Sequence, residues 1–242
     1  GADFNGDGIG DIFSATTGTL TIWNGKGNNN FAGLQEIGGG WNIYGKPIAG
    51  DFNNDGISDL AAIKNNTTLV IWNGKGGNKF GPATDIGDGW TPYTSLTSLG
   101  DINNDGHDDI AAITDNTLYI WNGKGGNKFG PATRIGSGWN TYSKPIGGDF
   151  NNDGIGDLAA IKNSTTLTIW NGKGGNNFTD ATEIGGGWTP YDGTLTTLGD
   201  VNKDGHDDIA AMTGGTLYLW NGKGGNKFGP ATEVGSGWTP YF

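Results

Sequence analysis

Residues 101–121 read DINNDGHDDIAAITDNTLYIW. The stretch opens on D-x-N-x-D-G-x-x-D, an aspartate loop, and continues into two short apolar runs, DDIAAI (108–113) and TLYIW (117–121). Runs of four to six residues bounded by Gly, Asn, Asp or Pro suit strands and are too short for helices. In TLYIW, Leu118 and Ile120 alternate with Tyr119 and Trp121. Both sets are bulky, so both faces of this strand must be covered.

The same string recurs along the whole chain. The aspartate motif begins at Asp3, Asp51, Asp101, Asp149 and Asp200, at intervals of 48, 50, 48 and 51 residues. Behind each comes TLxxWNGKG, with its Trp at 23, 72, 121, 170 and 220. A Gly/Asn loop follows, closed by a Phe at 31, 80, 129, 178 and 228. Each copy ends on Gly-Trp-x-x-Tyr. The segment before each motif, such as SLTSLG (95–100), supplies one further strand. That makes four strands per copy: A before the motif, B after it, C through TLxxWNG, D through ATxIG.

Four short antiparallel strands at a period near 48 residues predict an all-β fold, a five-bladed β-propeller of four-stranded antiparallel blades. Neighbouring blades cover both faces of a blade, which explains why strand C has no polar face. A solenoid is the alternative, but it needs polar capping repeats, and the ends show none. The reading is one domain over 1–242, with repeats at 1–48, 49–98, 99–146, 147–197 and 198–242. The segment 46–142 resembles 144–241, so a two-blade unit was duplicated. Copy one has almost nothing before Asp3, so its innermost strand is expected to be missing. Either the ring closes with one three-stranded blade, or these 242 residues are cut from a longer array.

Composition sets the outer limits. With 49 glycines the chain must make many tight turns, while ten Trp, ten Phe and seven Tyr argue against disorder. The formal charge of −11 speaks against electrostatic binding to nucleic acid or an anionic membrane. No apolar run approaches the roughly 18 residues of a membrane span, so no membrane insertion is expected. The chain is read as secreted, with Gly1 as a processed or trimmed start. It has no cysteine, which excludes disulfides and thiolate chemistry. A secreted protein without disulfides needs other cross-links, and bound metal is one candidate.

Motif positions one, three and five are Asp, Asn and Asp, with Gly at six. This is the front half of an EF-hand loop, where oxygen donors two apart converge on one cation. Position twelve is Ser14, Ala62, Ala112, Ala160 or Ala211, never Glu, so there is no EF-hand. Position nine is always Asp instead, and position seven would offer its backbone carbonyl. The candidate ligands are Asp3, Asn5, Asp7, Ile9 and Asp11 in the first loop. In the second and third they are Asp51, Asn53, Asp55, Ile57, Asp59, and Asp101, Asn103, Asp105, His107, Asp109. In the last two they are Asp149, Asn151, Asp153, Ile155, Asp157, and Asp200, Asn202, Asp204, His206, Asp208. The plainer alternative is that these aspartates form Asx-turns at a hairpin. Three carboxylates within nine residues would repel one another without a cation. Five divalent ions would bring the formal charge from −11 to −1. Oxygen-only donors favour Ca²⁺ over zinc or copper, so up to five Ca²⁺ are expected.

This pattern resembles the calcium loops of FG-GAP and VCBS-type propeller repeats, as in the integrin α-subunit propeller. The resemblance covers all five copies. It implies a calcium-stapled propeller.

Nothing in the chain forms a unique catalytic constellation. His107 and His206 occupy the same loop position in copies three and five, and read as solvent-facing loop residues. No G-x-S-x-G, H-E-x-x-H or phosphate loop is present. The chain is read as not an enzyme.

The repeated aromatics carry the functional hint. Trp41/Tyr44, Trp90/Tyr93, Trp139/Tyr142, Trp188/Tyr191 and Trp238/Tyr241 form the five Gly-Trp-x-x-Tyr pairs. An indole is a flat apolar platform with one N–H donor, and sugars stack C–H faces on such platforms. The same indoles would serve equally as inter-blade core. The stretch resembles the repeat of tachylectin-type propellers, and the chain is also similar to PVL-like fungal lectins. Both resemblances imply N-acetylated sugars of the GlcNAc type, bound between blades, and hence a multivalent lectin. The alternative is a protein-interaction or structural propeller, joined to other domains of a longer secreted protein. Strand alternation puts the aspartate loops and NGKGGN turns on one face of the disc and the Gly-Trp-x-x-Tyr segments on the other.

Overall fold

The computed structural model describes all residues, 1–242. The short apolar runs are strands. Blade one holds β1 (Ile12–Ser14), β2 (Leu20–Trp23) and β5 (Gln35–Gly38), with a small ribbon of β3 (Gly25–Gly27) and β4 (Asn30–Phe31). Blade two is β6 (Tyr44–Gly50), β7 (Asp59–Lys64), β8 (Thr68–Gly74) and β9 (Phe80–Gly87). Blade three is β10 (Ser95–Gly100), β11 (Asp109–Thr114), β12 (Thr117–Trp121) and β13 (Thr133–Gly136). Blade four is β14 (Ile146–Gly148), β15 (Asp157–Lys162), β16 (Thr166–Trp170) and β17 (Thr182–Gly185). Blade five is β18 (Thr196–Gly199), β19 (Asp208–Thr213), β20 (Thr216–Trp220) and β21 (Thr232–Gly235). Each sheet is antiparallel and ordered as the chain runs, which makes the molecule a five-bladed propeller whose first blade has three strands. The only helical elements are four 3-10 turns of three residues each.

Burial follows from the stacking of blades. In β7, Leu60, Ala61, Ala62 and Ile63 are all buried, because both faces of the strand meet a neighbouring blade. The same holds for Leu118 and Ile120 of β12, while Tyr119 and Trp121 are half-buried. Between blades two and three, Ile48, Phe52, Leu69, Ile71 and Trp90 pack with Leu96 and Ile110 into one apolar cluster. Burying such a side chain stabilises by roughly 1.5–3 kcal/mol. The outermost strands are exposed and carry charge. Asp85 and Glu183 on these strands pair with Lys64 at 3.0 Å and Lys162 at 3.2 Å at the ends of the second strands, surface ion pairs worth little to stability.

The first strands of neighbouring blades line a central channel of ≈ 270 Å³. Blade one has no such strand. Gly1 and Ala2 stand in its place, Ala2 bridging Asp11 in antiparallel fashion. Blade five then closes on blade one. Trp238 packs on Trp23 with ring centroids 4.7 Å apart, and the Ser14 hydroxyl donates to the Tyr241 carbonyl at 2.8 Å. The ring therefore closes around three strands in blade one.

Two polar devices hold the blades together. The first is the motif's position-nine aspartate. Asp157 is fully buried, and its carboxylate accepts the backbone N–H of Phe150 at 2.7 Å and of Gly172 at 2.8 Å. It thereby ties the loop before strand B to the end of strand C. Asp11, Asp59, Asp109 and Asp208 do the same in the other blades. Gly172 has to be glycine, since a Cβ there would collide with the Gly156 carbonyl. The second device is a ring of amide clasps. The Asn of each WNG and the Asn ending the next blade's NGKGGN turn exchange two hydrogen bonds, Asn73 with Asn127 at 2.9 Å each way. The other clasps are Asn24–Asn78, Asn122–Asn176, Asn171–Asn226 and Asn221–Asn29. The turn asparagines sit at φ 60 to 62°, a left-handed conformation that Asn tolerates better than most residues.

Replacing Asp157 by Ala strands two buried N–H groups, and we expect a loss of roughly 2–4 kcal/mol. Urea unfolding in EDTA reads this without any contribution from metal; a loss within a few tenths would remove the bracket from the fold's supports. For Asn73→Ala with Asn127→Gly, a double-mutant cycle is expected to return a coupling of about 1 kcal/mol. A coupling of zero would mean that the clasp adds nothing to the seam.

Candidate functional site

The candidate site residues lie on two faces of the molecule. On the first, each aspartate loop is folded around its own side chains. In the second loop, the Asp51 carboxylate accepts N–H groups from Asp55 at 3.0 Å and Gly56 at 2.8 Å. Asp55 in turn accepts from Ile57 at 2.9 Å, and the Asn53 amide bridges to Asp55 at 2.9 Å. The loops at Asp3, Asp101, Asp149 and Asp200 repeat the pattern. Positions one, three and five are therefore joined in one exposed turn, all with oxygen donors. The position-nine aspartate lies beneath, committed to backbone amides through both oxygens. Three carboxylates do not converge on one point in any loop. The donors suit a hard cation; position five is exposed in every loop, and positions one and three are half-buried beside it.

Burial raises the position-nine carboxyls above the usual aspartate range, in spite of the amide bonds that oppose it. Asp11, Asp109 and Asp157 are pushed up to about 6, and Asp59 and Asp208 move in the same direction.

Each loop is also capped by the next blade. The NGKGGN turn of blade two donates Asn78 N–H to the Phe4 carbonyl at 3.0 Å, and that of blade three donates Asn127 N–H to Phe52 at 2.9 Å. Motif position eight makes a second link, which the aspartate pattern alone does not reveal. Asp108 accepts the N–H of Asp51 in the preceding blade at 2.7 Å, Asp207 that of Asp149 at 2.7 Å, and the Ser58 hydroxyl that of Asp3 at 2.9 Å. The histidines at position seven are packed into this seam and do not face solvent freely. His107 rests against Gly125 and His206 against Gly224 of the neighbouring turns, each with a buried, unpartnered Nδ1.

The opposite face carries the aromatics. Each Gly-Trp tryptophan donates its backbone N–H to the B–C turn of its own blade at 3.0 Å, as Trp90 does to Thr67. Its indole then meets the WNG tryptophan of the next blade. Ring centroids are 4.7 Å apart for Trp41–Trp72, Trp90–Trp121 and Trp188–Trp220, and 5.1 Å for Trp139–Trp170. The tyrosine three residues on stands edge-on to the same ring, Tyr93 at 5.1 Å from Trp121 and Tyr142 at 4.8 Å from Trp170. The two tryptophan sets of the sequence are thus one constellation, repeated at all five seams. Trp41, Trp90, Trp188 and Trp238 are each only 8% exposed, inside the apolar clusters. Trp139 is half-buried, as are Tyr44, Tyr93, Tyr142, Tyr191 and Tyr241. The indoles are backing for the seam, and the tyrosines are its accessible edge.

The seams are not identical. Tyr119 adds a fourth ring beside Tyr93 at 6.4 Å, and Tyr218 one beside Tyr191 at 5.9 Å. At the first seam, between blades one and two, an open depression of ≈ 380 Å³ lies between Asn42–Lys46 and the Asn65–Asn66 turn.

Comparison with known proteins follows the same lines. The FG-GAP-like repeat model matches residues 3–62, 51–112, 101–160 and 149–211. No curated protein matches the sequence. Among solved structures, the chain is similar to an Agrocybe aegerita lectin described as specifically recognising non-reducing terminal N-acetylglucosamine. The TM-score is 0.55 at 16% identity, covering 97% of this chain and 79% of that one. It is also similar to AofleA from Arthrobotrys oligospora, with TM-score 0.53 and 13% identity, over 94% of this chain and 69% of that one. At such identities the likeness is one of fold. The repeat match spans most of the molecule, and the chain belongs to the FG-GAP-like repeat family.

Proposed function

We propose that this protein is a secreted, non-enzymatic, multivalent lectin that binds N-acetylated sugars of the GlcNAc type on its aromatic face. The observation that carries the reading is the fivefold Trp–Tyr–Trp seam. A rigid indole pair holds each half-buried tyrosine in place, so a ring face and a hydroxyl meet a ligand without further ordering. The N-acetylglucosamine recognition described for the Agrocybe aegerita lectin supports the choice of sugar. Several weak sites on one rigid disc gain avidity on a glycan-coated surface.

In the same proposal, Ca²⁺ occupies the aspartate loops on the far face and does not touch the sugar. Positions one, three and five would hold it, with the carbonyl of position seven. The position-nine carboxylate would share its remaining lone pairs with the ion. Fifteen of the 25 acidic residues occupy positions one, five and nine of these loops, and a cation offsets their mutual repulsion.

The deep burial of four indoles favours a second reading, in which the Gly-Trp segments only fasten blades and the disc is an interaction or structural module of a larger secreted protein.

Calcium is expected to raise the melting temperature and EDTA to lower it. One site at a hundredfold excess over its Kd adds about 2.7 kcal/mol. A melting curve indifferent to both reagents would mean that the loops are turns alone. On a glycan array, the intact chain is expected to retain GlcNAc-terminated glycans. Replacing Tyr93 and Tyr191 together by Phe, which keeps the rings and removes the hydroxyls, should weaken that retention with little change in melting temperature. Trp90→Ala, by contrast, should cost about 3–5 kcal/mol of stability. A folded chain that retains no glycan would leave the interaction-module reading standing.

A further inference from the structure

The first seam combines an open depression with a lysine at its rim. Its depression of ≈ 380 Å³ falls within the range of small-molecule sites. The backbone N–H of Asn65 donates to the Ile43 carbonyl at 2.7 Å, which fixes the two rims relative to each other. Ile43 is 48% exposed, one of only two large apolar side chains that reach so far into water. Tyr44 stands beside it, held edge-on by Trp72 at 4.8 Å. Asn42, Asn65 and Asn66 bring three exposed amides to the rim.

Lys46 is the one charged residue that lines the depression, in a chain of formal charge −11. The ion pairs of the molecule are Lys64–Asp85 and Lys162–Glu183, so Lys46 has no carboxylate of its own. Its backbone sits at φ 56°, in the left-handed region that lysine seldom adopts. Such outliers gather at functional sites. The duplicated counterpart, Lys144, lacks this backbone and lines the central channel instead. The other three seams enter through Trp-Thr-Pro-Tyr and have no lysine at this place.

Building on the lectin reading, we infer that the first seam is a single, distinct subsite for a sugar bearing a carboxylate. The sugar ring lies on Ile43 and Tyr44, the amides of Asn42, Asn65 and Asn66 hold its hydroxyls, and the Lys46 ammonium pairs with the carboxylate. The subsite exists once per chain, whereas the neutral aromatic seams repeat.

The test is an NMR titration of the isotope-labelled full chain with D-glucuronic acid, D-glucose and N-acetylglucosamine. Glucuronic acid and glucose differ only in the group at C6. Glucuronic acid is expected to bind about fivefold tighter than glucose, the scale of one exposed ion pair. It should do so with one equivalent per chain and with shifts centred on Lys46 and Asn66. Lys46→Gln keeps the chain length and should abolish the preference while the N-acetylglucosamine shifts at the other seams persist. Asn66→Gly keeps the left-handed turn and should weaken both glucose and glucuronic acid. Equal binding of the two, a preference that survives Lys46→Gln, or shifts centred elsewhere would overturn the subsite and leave the lectin reading intact. The absence of any shift on this face with all three sugars would sink both.

Discussion

The structure depends on a buried carboxylate. Motif position nine is sequestered from water in every blade, yet it is an ionisable group. It persists there because two backbone amides, one from its own loop and one from the end of strand C, have no other partner. Removing it would leave those donors stranded, and keeping it requires the donors to be in place. That mutual requirement fixes where strand B begins, where strand C ends and how closely the two ends approach. The glycine of WNG follows from the same contact, because the neighbouring carbonyl leaves no room for a Cβ. Two of the most regular letters of the repeat are therefore one interaction seen from its two ends.

Much of the architecture can be read directly from spacing. SLTSLG and TLYIW are strands over the residues that their pattern marks, because short apolar runs between turn residues leave few alternatives. In blade one, Gly1 and Ala2 stand where the other blades have their first strand, and Ala2 only bridges Asp11. What the spacing concealed was the pairing of residues far apart in the chain. Asn73 and Asn127 lie 54 positions apart, and only the closed ring makes them partners. Each recurs in all five copies, and that recurrence was the available signal, but a Gly/Asn turn is also what any hairpin would show. Asp108 and Asp207 were hidden for a related reason. Adjacent to the position-nine aspartates, they read as spare acids, whereas each caps the loop of another blade.

The tryptophans show how one residue type serves two ends. Periodicity marked both sets, and chemistry allowed each to be core or platform. Packing gives most of the Gly-Trp indoles to the core, while the tyrosines three residues on keep an exposed edge. The short 3-10 turn between them produces that division, since it holds one ring inward and sets the next at the rim. Recognition on such a face is governed less by the shared aromatic frame than by what the non-repeating residues add to it.

The reciprocal asparagine clasp has a consequence for how the ring is assembled. The clasp is the same at every seam, so it cannot tell one neighbour from another. Blade two could fasten to blade five, or to a blade of a second molecule, through an identical pair of amides. Position eight is less uniform: Ser58, Asp108 and Asp207 cap the position-one N–H of the preceding blade, while Gly10 and Gly156 have no side chain to do so. An aspartate offered to the wrong loop, or a glycine where a cap is needed, leaves a donor unmet. The clasp thus acts as a universal fastener, and position eight adds a further link at three of the five seams.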